Sequence, residues 1–212
     1  MKILLVSATQ SEIEPVLSHF NFLNSGEVNG HTITVLVTGV GMTATAYALG
    51  KLLASEHFDL ALNAGIAGAF DKSIKIAEVL NVSQDCFAEL GAEDGQNFLT
   101  VDSLGLGKSS IKPTIPFLHP LVSQLKQVRS ITVNKVHGND ESIDVTASRL
   151  NPQTESMEGA AFFYACNEAK LSCLQLRAIS NYVERRNRAS WEIPLAIKNL
   201  NNTLIQLISQ LP

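Results

Sequence analysis

The feature that most constrains the fold is a repeating unit: a short, densely apolar run, then small or glycine residues, then a helix-length segment. The first run spans 2–8 and reads Lys-Ile-Leu-Leu-Val-Ser-Ala. It is too apolar for the alternation of a half-exposed strand and fits one buried on both faces. A helix is predicted over 10–20. A β-branched run over 32–38 ends in Gly39-Val40-Gly41 and leads into a helix over 42–56. A third buried strand over 59–63 ends in Ala64-Gly65-Ile66-Ala67-Gly68. Further strands are predicted over 76–83, 130–136 and 172–179, with helices over 157–169 and 189–209. In the last helix Trp191, Leu195, Ile197, Leu200, Leu204, Leu207 and Ile208 approximate one apolar face. The stretch 89–120 carries Gly, Asp, Ser and Pro and reads as loop with short pieces of strand. His137-Gly138-Asn139-Asp140 reads as a turn.

Strands alternating with helices predict an α/β fold: a three-layer α/β/α sandwich around a central twisted mixed sheet, largely parallel. At 212 residues the chain suffices for one buried core, so 1–212 is read as one domain. Net charge is -4 and no basic stripe precedes the cluster at Arg185, which argues against nucleic acid as a partner. No apolar run approaches a membrane span, and the N-terminus reads as a first strand rather than a signal. Cys86, Cys166 and Cys173 show neither CxxC nor metal-ligand spacing and read as reduced thiols, which fits a cytoplasmic protein.

In an open, largely parallel sheet, ligands gather beyond the carboxyl ends of the strands. Glu12, Gly39-Val40-Gly41, Gly65-Ile66-Ala67-Gly68, His137-Gly138 and Ser180-Asn181 all fall at such ends. Gly39-Val40-Gly41 can cradle an anion at a helix N-terminus or simply allow a tight turn; it lacks the third glycine of a dinucleotide fingerprint and the lysine of a phosphate loop. The first arginine is Arg129, so both glycine loops are expected to lack a nearby guanidinium. Holding a phosphate dianion calls for cations, and water is therefore the preferred nucleophile. Glu12 and Glu158 both read as first-turn glutamates, a position the helix dipole favours by itself. Glu12, just past the first strand, can also orient a water as general base. Glu158 enters an apolar helix between Met157 and Gly159-Ala160-Ala161, where a charge needs a partner such as a ribose diol. Asn181 both donates and accepts, which suits the edge of a 6-oxopurine as well as local backbone.

Together these positions resemble the purine nucleoside phosphorylase and nucleosidase superfamily, and within it the methylthioadenosine/S-adenosylhomocysteine nucleosidases and the futalosine hydrolases. The likeness runs from Ala8 and Glu12 through Thr38-Gly39-Val40-Gly41, Asn63-Ala64-Gly65-Ile66-Ala67-Gly68 and Val136-His137-Gly138. It ends with Met157-Glu158-Gly159-Ala160 and Arg177-Ala178-Ile179-Ser180-Asn181. The resemblance implies a nucleoside phosphorylase-like fold, a homodimer, a small-molecule nucleoside substrate and no cofactor. It implies that Glu12 activates the water and that Glu158 binds the ribose hydroxyls with Met157 beside it. Ala8, Gly41, Gly65 and Ile66 fall among the substrate-binding positions. Asn181 stands where adenine-cleaving members carry an aspartate. The futalosine hydrolases resemble this chain in having the amide and release hypoxanthine, in an alternative route to menaquinone. Their substrate carries a benzoate-bearing group, for which Arg185, Arg186 or Arg188 would supply the cation and Trp191 an apolar wall. Ile66 replaces a serine of the related nucleosidases, and Asp140-Glu141 occupies the region of their base-stacking aromatic. Cleavage of inosine, methylthioadenosine or aminodeoxyfutalosine, a phosphorylase, and a non-catalytic nucleoside-binding protein are the competing readings.

Overall fold

The computed structural model describes residues 1–211. The chain begins with β1 (Lys2–Ser7), α1 (Gln10–Phe20), β2 (Ser25–Val28), β3 (His31–Val37) and α2 (Met42–Leu53). Next come β4 (Leu60–Ala69), β5 (Val79–Phe87), β6 (Gly91–Asp94), β7 (Asn97–Thr100) and β8 (Ser110–Ile111). The remainder is α3 (Pro120–Ser123), β9 (Gln127–Thr132), α4 (Asp140–Leu150), β10 (Thr154–Ser156), α5 (Gly159–Glu168), β11 (Ser172–Tyr182) and α6 (Ile193–Ser209).

Among these residues nine strands form one mixed sheet in the order β10-β9-β5-β11-β4-β1-β3-β2, with β8 on β5. β10 pairs in parallel with β9 and also antiparallel with β4, so five strands close into a ring at one end of the sheet. Side chains alternate across β1. Ile3 and Leu5 pack with Ile13, Val16 and Leu17 of α1 and Leu200 and Leu204 of α6. Leu4 and Val6 pack on the other face with Leu49 of α2 and Phe162, Phe163 and Cys166 of α5. Period-two alternation with apolar residues on both faces is what a doubly covered strand requires. Three layers result.

Several boundaries differ from the sequence reading. β4 runs through Gly65 and Gly68 to Ala69, because its backbone is paired with β11 as far as Tyr182. Ladder hydrogen bonds on a central strand override the weak strand preference of glycine. β5 and β9 lie at 79–87 and 127–132 rather than 76–83 and 130–136. α4 is a helix where only a turn was expected: Asn139 caps it by accepting from Ser142 N–H at 3.2 Å. Its buried member is Thr146, so it shows no apolar stripe to read. The last helix begins at Ile193, not 189, after a short 3-10 turn at Arg188–Ser190. Trp191 thus lies outside it and Leu195 is 44% exposed, while the polar Asn201 is buried on the inner face.

Candidate active site

Beyond the carboxyl ends of β1, β4 and β11 lies a cavity of about 420 Å³. Its wall includes Ala8, Glu12, Ile66, Met157, Glu158, Asn181 and Trp191. Glu12 is buried in the first turn of α1, whose cap residue is Thr9. Its Oε2 accepts from Thr9 N–H at 3.0 Å, Thr9 Oγ1 at 2.9 Å and Ser7 Oγ at 3.2 Å. Its Oε1 accepts from Ile66 N–H at 3.1 Å. A carboxylate with four donors has a fixed direction, and the less occupied Oε1 retains a lone pair for a water. A Cβ on Gly65 would come within 3.0 Å of that Oε1, so glycine lets the strand approach this closely. From behind, Asn201 of α6 donates to Glu12 O at 2.8 Å and accepts from Val16 N–H at 3.0 Å, tying α6 to the backbone of this turn.

Glu158 is held differently. It is the cap residue of α5, yet its side chain does not cap that helix. Ala160 N–H is instead taken by Thr132 Oγ1 at 2.7 Å. The Glu158 Oε1 reaches across to accept from Gly41 N–H, at the start of α2, at 3.0 Å. The anion at the Gly39-Val40-Gly41 turn is therefore the protein's own carboxylate. Burial raises the Glu158 pKa, the Arg177 guanidinium opposes that rise, and the neighbouring Glu12 adds to it.

The Asn181 side of the cavity is shaped by an irregularity. The β11–β4 register shifts between Ile179 and Asn181, so one extra residue is accommodated before Asn181 pairs with Gly68. Bulges re-aim side chains, and this one puts Asn181 in the cavity wall. Asn181 Oδ1 accepts from Ser180 Oγ at 2.8 Å and Nδ2 donates to Tyr182 O at 2.9 Å. One N–H and one lone pair of the amide remain. Glu192 N–H donates to Ser180 O at 2.8 Å, folding the arginine-rich segment back over the site. The guanidinium groups of Arg186 and Arg188 lie 5.1 and 5.9 Å from the Trp191 ring centre.

The model for the phosphorylase superfamily matches residues 2–211. The chain belongs to that superfamily. It is 30% identical to the futalosine hydrolase of Thermus thermophilus, over 98% of this chain and 95% of the relative. The futalosine hydrolase of Acidothermus cellulolyticus is also 30% identical, over 98% and 90%. In fold the chain is similar to a futalosine hydrolase mutant structure from Helicobacter pylori, with TM-score 0.85, 18% identity and complete coverage of both chains. A Helicobacter pylori methylthioadenosine nucleosidase mutant structure with 5'-methylthioadenosine in its active site aligns with TM-score 0.85 at 18% identity, over 99% of each chain.

In this superfamily member Gly41 and Gly65 lie just behind the wall, one bonded to Glu158 and the other against Glu12. Among the arginines, Arg186 is the one in the wall. Arg185 and Arg188 are not, because the segment turns back over Gly138, where Arg186 N–H donates to Gly138 O at 3.2 Å. The expectation that no guanidinium sits near the glycine loops also needs correction. Arg177 is fully buried on β11, and a Cβ on Gly65 would lie 3.3 Å from its Nη1. Folding brings together what sequence distance separates. The charge of Arg177 acts to lower the pKa of both Glu158 and Asp85, while Arg177 Nη1 donates to Leu176 O at 3.1 Å.

Asp85 also escaped the sequence reading. It is fully buried, accepts from Gln175 Nε2 and Thr132 Oγ1 at 2.8 Å each, and its pKa is pushed up to about 6, chiefly by burial. Its signal, like that of Arg177, was an isolated charge within an otherwise strand-like run.

Proposed function

We propose that this chain is a futalosine hydrolase, cleaving the N-glycosidic bond with water to give hypoxanthine and dehypoxanthine futalosine, in a route to menaquinone. The observation that carries the reading is one cavity whose wall holds the buried Glu12 and Glu158 together with a neutral amide, Asn181. Relatives of that name, 30% identical along nearly the whole chain, support it.

Glu12 Oε1 accepts a proton from the water as its oxygen bonds to C1′. The C1′–N9 bond breaks with its electron pair moving to the base, which takes up a proton from solvent water as it departs. Glu12 later returns its proton to solvent. As the bond breaks, positive charge develops on the sugar. Glu158 accepts from the ribose hydroxyls and lies near that charge, with Met157 against the sugar. Asn181 donates its remaining N–H to the oxo-purine, where charge accumulates as the bond breaks. Preorganised groups that meet charge only as it forms lower the barrier most. In this scheme Arg186 meets the substrate carboxylate and Trp191 is the apolar wall, roles supported by the presence of both in the cavity lining. No cofactor enters this scheme.

Water is favoured over phosphate because, among the described residues, the cavity wall carries a single arginine, Arg186, and no lysine, too few cations to hold a dianion. We also propose one domain and a cytoplasmic homodimer. Exposed Tyr47, Leu106 and Tyr164, at or beside a second cavity of about 660 Å³, form an apolar face that supports the homodimer reading. Among the described residues no helix is long and apolar enough to cross a membrane.

The test is chromatography of purified protein with futalosine and, separately, with its adenine analogue. Free hypoxanthine, released with a marked preference over adenine, is expected. Predominant adenine release would overturn the reading.

A further inference from the structure

Glu155 is a buried carboxylate that the scheme above does not use. It lies on β10, opposite Gly68 of β4, and lines the same cavity as Asn181. A Cβ built on Gly68 would lie 3.4 Å from Asn181 Nδ2 and 3.6 Å from Glu155 Cγ. The amide and the carboxylate arm therefore flank one point of the wall.

This acid is held from behind. Its Oε1 accepts from His137 N–H at 3.0 Å and its Oε2 meets His137 Nδ1 at 2.6 Å. The ring continues to Thr146 Oγ1 of α4 through Nε2 at 2.8 Å, and its edge packs on Phe70 with centroids 5.8 Å apart. With the ring proton on Nδ1, every group in this chain is satisfied: imidazole donates to carboxylate, and the Thr146 hydroxyl donates to Nε2. Each Glu155 oxygen has one partner on the protein and keeps a lone pair. Glu155 lines the cavity in which the base is placed, where a ligand donor can use these spare acceptors.

We propose that Glu155, oriented by His137, is a specificity-determining residue that accepts the N1–H of a 6-oxopurine while Asn181 donates to its O6 or N7. This rests on the reading of Asn181 as a base contact. On a 6-oxopurine, the O6 acceptor and the N1–H donor are adjacent. A 6-aminopurine reverses both, showing an N–H donor and then a bare N1 lone pair. Donor amide beside acceptor carboxylate matches the first pattern. Against adenine the carboxylate faces a lone pair and is left without a donor. Stranding one buried polar partner changes discrimination by about 10- to 100-fold.

The experiment compares wild type with E155Q on futalosine and on its adenine analogue. The glutamine amide can turn either way, so the ratio of kcat/KM for the two substrates is expected to fall about tenfold or more. H137Q, which keeps the acid but loosens it, is expected to move the ratio the same way by less, and E155D to restore part of it. Equal losses on both substrates, or an unchanged ratio in folded E155Q, would overturn the assignment. If E155Q does not melt cooperatively, H137Q and E155D carry the test. Calorimetric binding of hypoxanthine and of adenine to wild type and variants reads the same contact without cleavage. Failure of wild type to cleave futalosine, with hypoxanthine preference still lost in E155Q, would sink the proposed reaction and leave Glu155 as the reader of N1. No preference for hypoxanthine in wild type would sink the assignment itself.

Discussion

Glu12 and Glu158 enter the same cavity and are held in opposite ways. Glu12 has four donors and a backbone pinned by Asn201. Glu158 has Gly41 N–H as its side-chain donor, is desolvated, and stands in the field of Arg177. The first arrangement fixes direction, which a group that must aim one lone pair at a water needs. The second leaves acceptor capacity free, which a group that receives two hydroxyls needs. Similar helix-start positions in sequence thus become different tools because their surroundings differ.

The largest effect should come from the fixed acid. E12Q keeps the shape and removes the proposed general base, and kcat is expected to fall about 10²- to 10⁴-fold with KM little changed. Steady-state kinetics on futalosine would show it. A KM defect without a kcat defect would erase the distinction between the two acids.

E158Q should lower kcat/KM by about 100-fold, since an amide offers one acceptor where two hydroxyls need acceptance. Burial raises the Glu158 pKa, and only its ionised form accepts both hydroxyls. Activity should therefore fall, as pH is lowered, at a pH above the ordinary glutamate range. A pH–rate profile in which E158Q retains that limb would assign it elsewhere.

Asp85 extends the contrast to stability. Its folded pKa is about 6 against an ordinary 3.8, so folding favours its protonated form. Its contribution is fully present below about pH 4 and is lost as pH rises through about 6, a change on the order of 2–3 kcal/mol. D85N should remove that slope when urea midpoints of wild type and variant are compared across this window. Parallel curves would contradict the assignment. The smallest effect is expected from N181D, about a tenfold shift in kcat/KM toward the adenine analogue.

Much of this was legible in sequence because its causes are local. α1 runs over Gln10–Phe20 as read, since an amphipathic stripe and a capping threonine define it without help from elsewhere. Glu12, Glu158 and Asn181 could be singled out because chain turns beyond strands leave a sequence mark. Tertiary causes left no such mark. The strand character of Gly65 and Gly68 comes from pairing with β11, and the placement of Arg177 from a neighbour more than a hundred residues away. The bulge at Ser180, which aims Asn181, depends on register between two strands. Glu155 and His137 meet because β10 pairs with β9, whose following loop carries His137, a contact that no periodicity announces.

The most direct test is futalosine turnover in ¹⁸O-labelled water, with and without phosphate. The account predicts label in the sugar product, hypoxanthine released in equal amount, a rate indifferent to phosphate, and in E12Q the same products formed about 10²- to 10⁴-fold more slowly. Turnover that requires phosphate and yields an unlabelled sugar 1-phosphate would contradict it.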